Sequence, residues 1–162
     1  MIFVTLGTQK FQFDRILKEL DKLIEENKIK KDDLVVQSVM QEYKPKNYYV
    51  HMLMKEDEFI ENIKKAEIII THSGTGSIIS CIKNNKRFII VPRLKEYGEH
   101  IDDHQIELAE VFREKANGIV VLDIKDLYDA ILKAPTHRYE KWELENSKLI
   151  KDIETKINKY LL

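Results

Sequence analysis

Cysteine, an excess of one charge and long apolar runs are what this 162-residue sequence has least of. Its one cysteine, Cys81, excludes an internal disulfide and a cysteine-rich metal site. The formal net charge of −1 gives no overall field that would draw the chain to nucleic acid or to an anionic membrane. No run approaches the roughly 18 apolar residues of a transmembrane helix, and the sequence does not open on a basic leader, so a cytoplasmic protein is expected.

Glycine is also scarce, with five residues, so each position carries information. Gly7, Gly74 and Gly76 come just after apolar runs that are typical of buried strands. Gly98 lies in the loop after another such run, and Gly118 comes just before one. Glycines in these places favour turns with backbone angles that other residues rarely adopt.

Short β-branched runs alternate with helical patterns along the chain. The predicted strands are 2–6, 34–37, 48–53, 67–71, 87–91 and 118–121. The predicted helices begin near residue 13, cover 57–65, lead from the turn after 71 to about 84, start after the acidic pair 102–103, cover 124–133, and continue from about 138. This alternation predicts an α/β fold, a Rossmann-like parallel sheet of about six strands with a C-terminal helix.

The loops after the first, fourth and fifth strands are expected to meet at one edge of that sheet. They are Gly7–Lys10, His72–Gly76 and Arg93–Asp103, and all three are rich in polar or small residues. Ligands of such sheets bind beyond the carboxyl ends of the strands, at the switch point of the strand order. The sequence therefore predicts one shared crevice.

The stretch 68–79 is the centre of this prediction. A β-branched run leads into the turn Ser73-Gly74-Thr75-Gly76, and a helical pattern starts at Ser77. A helix start presents free N–H groups and the positive end of the helix dipole, and small residues let a phosphate reach them. The alternative interpretation is a strand-to-helix turn that needs glycine only for its geometry.

Two further features, the Gly7-Thr8 turn and His72, have two interpretations each. The Gly7-Thr8 turn offers N–H groups and a hydroxyl to a ligand, although it matches neither GxGxxG nor a Walker loop; a simple strand-to-helix turn is the alternative. His72 has the chemistry to contact a phosphate or a sugar hydroxyl, or to act as an acid or base. A structural histidine that bonds a loop carbonyl is the alternative.

The densest polar cluster is the loop 97–105. His100 and His104 are four residues apart with carboxylates between them, which suggests a divalent metal, but no third ligand is evident. A clamp on sugar hydroxyls by Asp103 and Gln105 is the preferred interpretation, and helix capping by an aspartate is the alternative.

Three other features have a simple interpretation beside a functional one. Arg93 follows Pro92 and is either a diphosphate ligand or a surface charge. Cys81 lies on an apolar helical pattern and is expected in the core. The last helix carries an apolar stripe, which we expect to bury against this domain or a partner; its members are Ile150, Ile153, Ile157 and Tyr160.

Four motifs together resemble one family. They are Val4–Gln9 with Phe13-Asp14-Arg15, Ile70–Ile78, Val91-Pro92-Arg93, and Tyr97–His100 with Asp102–Ala109. In order and spacing, over about residues 1–120, the chain resembles the C-terminal domain of glycosyltransferase family 28 in its free-standing form. It is similar to PssE-type exopolysaccharide and capsule subunits, and to the small catalytic half of the two-part eukaryotic enzyme that adds the second GlcNAc to dolichol-linked GlcNAc.

The resemblance implies one half of a GT-B glycosyltransferase. The UDP-sugar-binding domain is assigned to 1–135, and the helical pattern beyond Pro135 predicts a helical extension over 136–162. The resemblance also implies a hexosyltransferase that moves a hexose from a UDP-sugar to a polyprenyl-pyrophosphate-linked sugar and needs a PssD-like, membrane-anchored partner. The chain would then lie at the cytoplasmic face of the membrane, without a metal or cofactor and without nucleic acid.

The resemblance also implies site residues. The donor sugar is expected near Asp103, His104 and Gln105, and uracil near Leu53 and Met54. His72 is the best local candidate for a catalytic base, although the partner is an alternative source of it. The full set of expected substrate ligands is Gly7, Thr8, His72, Ser73, Gly74, Thr75, Gly76, Ser77, Arg93, Asp103, His104 and Gln105.

One departure from the family pattern weakens the expectation of a ribose contact. Many members carry an acid twelve positions before the proline that ends strand five, and this chain has Ser80 there. A UDP-sugar-binding or regulatory subunit without catalysis is therefore an alternative function. A nucleotide-handling protein of another Rossmann type is a third, which the four motifs disfavour.

Overall fold

A six-stranded, all-parallel sheet forms the centre of the protein. The structure is a computed structural model that describes residues 1–116 and 118–139. The strands are β1 (Ile2–Thr5), β2 (Leu34–Gln37), β3 (Val50–His51), β4 (Ile68–Thr71), β5 (Arg87–Ile90) and β6 (Ile119–Val120). Their order across the sheet is β3-β2-β1-β4-β5-β6. This order confirms the predicted Rossmann-like sheet and places its switch point between β1 and β4.

Five helices cover the two faces of the sheet. They are α1 (Asp14–Glu25), α2 (Glu56–Lys65), α3 (Thr75–Lys83), α4 (His104–Ala116) and α5 (Leu127–Lys133). Helices α1 and α5 pack with Val4 and Ile70 on one face. Helices α2, α3 and α4 pack with Phe3 and Ile69 on the other. Neighbouring strand residues point to opposite faces of the sheet. Because helices cover both faces, the strands are almost wholly apolar.

Helix α1 follows from its sequence pattern. Ile16, Leu17, Leu20 and Leu23 recur at three- and four-residue spacings and are all buried. The helix ends near Asn27, which has a φ of +56° that only a few residue types adopt readily. This element thus begins close to the predicted position.

The predictions fail at the edges of the sheet. The third strand was expected over 48–53 but contains only Val50–His51, because β3 pairs with β2 through two residues at the sheet edge. The helix expected over 124–133 begins instead as a 3₁₀ turn, Ile124–Asp126, before α5. Cys81 is buried in the core, as predicted, and burial raises the pKa of its thiol to about 12.

The apolar stripe of the last predicted helix, residues 150–160, lies outside the described residues. The proposed extension from residue 136 is described only as far as Tyr139. The Tyr139 ring stacks on Phe88 with 5.7 Å between centroids, and its hydroxyl donates to the Phe88 carbonyl at 3.0 Å. The chain just beyond residue 135 therefore packs on the domain.

Two aspartates of α1 hold the polar loop that follows β2. Asp14 accepts from the main-chain N–H groups of Glu42 and Tyr43. Asp21, 2% exposed, accepts from the Tyr43 hydroxyl, from the Lys46 N–H, and from both the main-chain and side-chain N–H groups of Asn47. Burial acts to raise the pKa of Asp21, but the hydrogen bonds outweigh it and lower the pKa.

Replacing Asp21 by Asn tests this anchor. The variant is expected to lose about 2 kcal/mol of unfolding free energy at pH 7, because an amide nitrogen then faces an N–H donor. The native pKa is lowered, so the stabilisation by Asp21 is present above about pH 4 and is lost as the pH falls through the native value. Urea unfolding at pH 7 and at pH 3 measures both effects.

Asp32→Asn, on an exposed carboxylate that precedes β2, is the matched control and should change stability by less than about 0.5 kcal/mol. An Asp21→Asn protein as stable as wild type at pH 7 would show that the loop does not depend on this carboxylate.

Candidate functional site

A cavity of about 670 Å³ opens beyond the carboxyl ends of β1, β2 and β4. This is the edge at which the sequence predicts a crevice, beside the switch point between β1 and β4. Ten of the twelve expected substrate ligands line it: Gly7, Thr8, His72, Ser73, Gly74, Thr75, Gly76, Ser77, His104 and Gln105. The two expected ligands that do not line it are Arg93 and Asp103.

The N-terminus of α3 forms one wall of the cavity. Gly74 precedes the helix in an extended conformation and offers no capping side chain. The first N–H groups of a helix have no acceptor within it, so those of Thr75 to Ser77 are free for a ligand. Ser73 lines the same wall; its side chain is 3% exposed, and its Oγ has no hydrogen-bond partner within the described residues. A buried hydroxyl without a partner beside a helix start is the geometry of an anion site.

Neither lysine nor arginine lines the cavity in the described part of the chain. An anion bound at α3 would therefore be stabilised by N–H groups, by hydroxyls and by the helix dipole.

His72 occupies the space between two turns. A Cβ atom added to Gly7 would lie 2.6 Å from both Cε1 and Nε2 of the imidazole, and one added to Gly74 would lie closer still. Gly7 also has a φ of +78°. The ring therefore fills the side-chain positions of both glycines. Position 74 therefore requires glycine because of the His72 ring. Position 7 requires it because of the same ring and because of its backbone angle.

The imidazole of His72 is neutral in the free protein at physiological pH. Burial, the Arg93 guanidinium and the His100 side chain together lower the pKa of His72 to about 4, and the main chain of Thr5 offsets only part of this shift. Nδ1 of His72 makes no hydrogen bond of good geometry within the described residues. The ring is therefore a neutral hydrogen-bonding group beside the anion site.

Arg93 is a structural residue, which corrects its expected role as a diphosphate ligand. Its side chain is 1% exposed. Its guanidinium donates to the carbonyls of Leu6 at 2.7 Å, Phe11 at 3.0 Å, Gln12 at 3.1 Å and Glu99 at 3.1 Å. These bonds tie the turn after β1 to the loop after β5 and direct the guanidinium to carbonyl groups.

An ion pair between Arg15 and Glu99 fixes the same loop. Arg15 donates through Nε to both carboxylate oxygens of Glu99, at 2.9 and 3.1 Å, and also bonds the Pro92 carbonyl. Glu99 is fully buried and accepts from the Leu94 N–H. A paired, buried carboxylate of this kind fixes the backbone around it.

Gln105 has a defined orientation in the cavity wall. Its Oε1 accepts from the Arg93 N–H at 2.9 Å, so its amide NH₂ is the group left for a ligand. Asp103, by contrast, is exposed and accepts from the Lys95 N–H at 3.1 Å. Asp103 thus holds the loop and lies outside the cavity lining, and its expected contact with the donor sugar stays a prediction.

Several residues that line the cavity are not predicted from the sequence. Thr5 and Gln37 are buried in its polar floor, where the Thr5 hydroxyl donates to Gln37 at 3.0 Å. Phe59 and Leu108 add apolar surface beside Leu53 and Met54, which do line the cavity as expected for a base site. The strand pairing of β1 with β2 brings the floor together, and no local pattern signals it.

Two further expectations concern a ribose contact at Ser80 and a metal site at His100 and His104. Ser80 does not line the cavity, and its hydroxyl donates to the Gly76 carbonyl at 2.9 Å. Among the residues that the structure describes, no group of three or more His, Cys, Asp or Glu side chains is placed to hold a metal ion.

In the same part of the chain, no helix has the length and apolar character needed to cross a bilayer.

Comparison with curated proteins finds relatives of one kind. Residues of the chain match the UDP-N-acetylglucosamine transferase subunit ALG13 of Candida albicans at 39% identity over 71 residues, which are 44% of this chain and 22% of that protein. The human protein of the same name matches at 25% over 123 residues, 72% of this chain and 10% of its own length. That of Yarrowia lipolytica matches at 33% over 60 residues, 36% and 29% respectively. The matches thus span less than a third of each relative.

Solved structures with a similar fold include the spinosyn forosaminyltransferase SpnP, with a TM-score of 0.48 and 16% identity over 83% of this chain and 35% of that one. SnogD, a glycosyltransferase from Streptomyces nogalater, has a TM-score of 0.45 and 17% identity over 83% of this chain and 38% of that one. The family profile of the glycosyltransferase family 28 C-terminal domain matches residues 1–158. The chain therefore belongs to the glycosyltransferase family 28 C-terminal domain family.

Proposed function

We propose that this chain is the donor-binding half of a two-chain glycosyltransferase. It moves a hexose from a UDP-sugar to a sugar linked to polyprenyl pyrophosphate, in polysaccharide biosynthesis. The single observation that carries the proposal is the anion site at α3, where the unpartnered Ser73 hydroxyl lies beside the free N–H groups of the helix start. That site fits the diphosphate of a nucleotide sugar.

The rest of the cavity fits the two ends of such a donor. Leu53, Met54 and Phe59 provide an apolar surface for the base. Gln105 presents an NH₂ group, which suits the acceptor oxygens of a hexose or of its phosphate. The donor then extends along the carboxyl edge of the sheet, with the diphosphate over the switch point.

Uncharged hydrogen-bond donors would stabilise the negative charge that develops on the diphosphate during transfer. When the bond between the sugar carbon and the phosphate oxygen breaks, negative charge develops on the departing diphosphate. N–H groups at the start of α3 and the Ser73 hydroxyl are already oriented toward it, so they stabilise this charge without rearrangement. The neutral His72 imidazole is an additional hydrogen-bonding group at the same place.

The acceptor requires a second chain in this proposal. The name of the curated relatives describes each as a subunit of a UDP-N-acetylglucosamine transferase. We propose a PssD-like, membrane-anchored partner that binds the lipid-linked acceptor and brings this chain to the cytoplasmic face of the membrane. UDP-GlcNAc is the first donor to test.

One observation favours a second candidate function, a binding subunit without catalysis. Ser80 stands where many family members have an acid, and it lies outside the cavity lining. Ribose binding therefore lacks that contact here. A transfer assay separates the two functions.

The first test measures UDP binding and sugar transfer. Calorimetry with UDP should show binding to the chain alone, because the proposed diphosphate site is formed by this chain. Transfer from UDP-GlcNAc, UDP-glucose or UDP-galactose to a polyprenyl-pyrophosphate sugar should require the partner, because the chain alone does not hold the acceptor. Absence of UDP binding contradicts the donor site, and binding without transfer in the complex favours the non-catalytic function.

Ser73→Ala is expected to weaken UDP binding by about fivefold to tenfold, the loss of one hydrogen bond to a charged group. Its unfolding free energy should stay equal or rise, because the hydroxyl is buried without a partner. Ser80→Ala is the matched control, since that hydroxyl bonds within α3 and does not line the cavity. Equal UDP affinity in Ser73→Ala and wild type would remove Ser73 from the site.

Gly74→Ala tests the packing of His72. In the wild-type background it should cost about 2 kcal/mol of stability, because the methyl group overlaps the imidazole, and it should weaken UDP binding as the ring is displaced. In a His72→Ala background the same change should cost less than about 0.5 kcal/mol, since the space is then empty.

Gly76→Ala provides the stability control for this cycle, because its added Cβ has no heavy atom within 4 Å. Additive costs of Gly74→Ala and His72→Ala would show that the two residues do not share this space.

A further inference from the structure

His100 lies in the cavity wall on the loop between β5 and α4. Its side chain is 14% exposed, so it is both held by the protein and reachable from the cavity. The ring packs against Phe11, with 5.5 Å between centroids. The backbone of the same loop is fixed by the Glu99 carbonyl, which accepts from the buried Arg93.

A carboxylate orients this imidazole. Nδ1 of His100 lies 2.8 Å from Oδ1 of Asp102. Asp102 is itself held by the His104 N–H, which donates to the same oxygen at 3.2 Å at the start of α4. The Asp102 N–H also approaches Nδ1, at 3.4 Å, which is a longer contact than the one to the carboxylate. Because an ionised carboxylate only accepts hydrogen bonds, we assign the proton to Nδ1, which donates it to Asp102, and the lone pair to Nε2.

Nε2 of His100 has no hydrogen-bond partner within the described residues. A histidine with one nitrogen bonded to a carboxylate and the other open to a cavity has the arrangement of a general base. The titratable or charged groups around it are Asp102, His72, His104, Glu107 and, behind His72, the guanidinium of Arg93.

The other two histidines of the cavity fit this role less well. His72 has no carboxylate on Nδ1, and its pKa of about 4 makes it a weak proton acceptor. His104 is 43% exposed, and its contacts with Asp102 and Glu107 are longer, at 3.6 and 3.8 Å. Geometry thus moves the catalytic assignment from His72, which the sequence suggests, to His100.

We propose that His100 is the general base of the transfer and that Asp102 is its positioning residue; this rests on the proposed function. The Nε2 lone pair takes the proton of the acceptor hydroxyl. The acceptor oxygen forms the bond to the anomeric carbon of the donor sugar. The bond from that carbon to the phosphate oxygen breaks, and its electron pair leaves with UDP.

The test uses the complex with the partner and compares His100→Gln, Asp102→Asn and wild type. His100→Gln keeps a hydrogen-bonding side chain but cannot take the proton, so kcat should fall about 100-fold or more. UDP affinity by calorimetry should change by less than about twofold, because neither residue is among the proposed UDP ligands. Glu96→Gln, on an exposed carboxylate of the same loop outside the cavity lining, is the matched control and should transfer normally.

Asp102→Asn should lower kcat with little change in the KM for UDP-sugar, because it disturbs the orientation of the imidazole and leaves the donor site intact. Nitrogen-15 NMR provides a readout that a purely structural role would not change. In wild type the His100 proton should lie on Nδ1, and in Asp102→Asn the two tautomers should mix.

Three outcomes overturn the proposal. Wild-type kcat in His100→Gln shows that the base lies elsewhere, on the partner or at His72. Loss of UDP affinity in proportion to kcat shows that His100 is a ligand of the donor. A wild-type complex that neither binds UDP nor transfers sugar overturns the proposed function, and the catalytic role of His100 with it. A fall of kcat alone supports His100 as the base.

Discussion

Two of the segments that enclose the cavity, the turn after β1 and the loop after β5, depend on one buried cation, the guanidinium of Arg93. It bonds the carbonyl at the end of β1, two carbonyls of the turn that follows, and one in the loop after β5. Its main-chain N–H also fixes Gln105. Burial lowers the pKa of Arg93 to about 10, so the group keeps its charge at neutral pH and the carbonyl dipoles are oriented toward it. Because one side chain joins these two segments, this part of the cavity wall is positioned before any ligand binds.

The arginine side chains near the site lie behind the cavity and do not line it. Positive charge lies behind the cavity, in Arg93 and Arg15, where it is used on carbonyls and on Glu99. The cavity itself presents hydroxyls, amides, the start of a helix and a neutral imidazole. A diphosphate bound there would meet directional donors instead of mobile ammonium groups. Such hydrogen-bond donors discriminate by geometry, and they stabilise a leaving group without rearrangement.

The sequence predicts the sheet and most of the cavity because both follow from local patterns. The apolar runs of β1, β2, β4 and β5 and the spacing in α1 are each visible within ten or so residues. Glycine positions identify the turns at Gly7 and Gly74. The expected role of Arg93 was wrong because it depends on partners up to 87 residues away, such as Leu6. The Gln37 floor and the His100–Asp102 pair likewise become visible only when strand order and loop conformation are known.

The imidazole packed between two glycines also constrains how the sequence can diverge. Position 74 has an ordinary backbone conformation, with a φ of −77°, so the ring at position 72 is what requires glycine there. Position 7 needs glycine for a second reason, its φ of +78°. In a lineage where a small residue replaces the histidine, position 74 is free to acquire a side chain while position 7 is not. Two glycines that look equivalent in the sequence are therefore under different selection, and substitution at one of them records the history of the histidine.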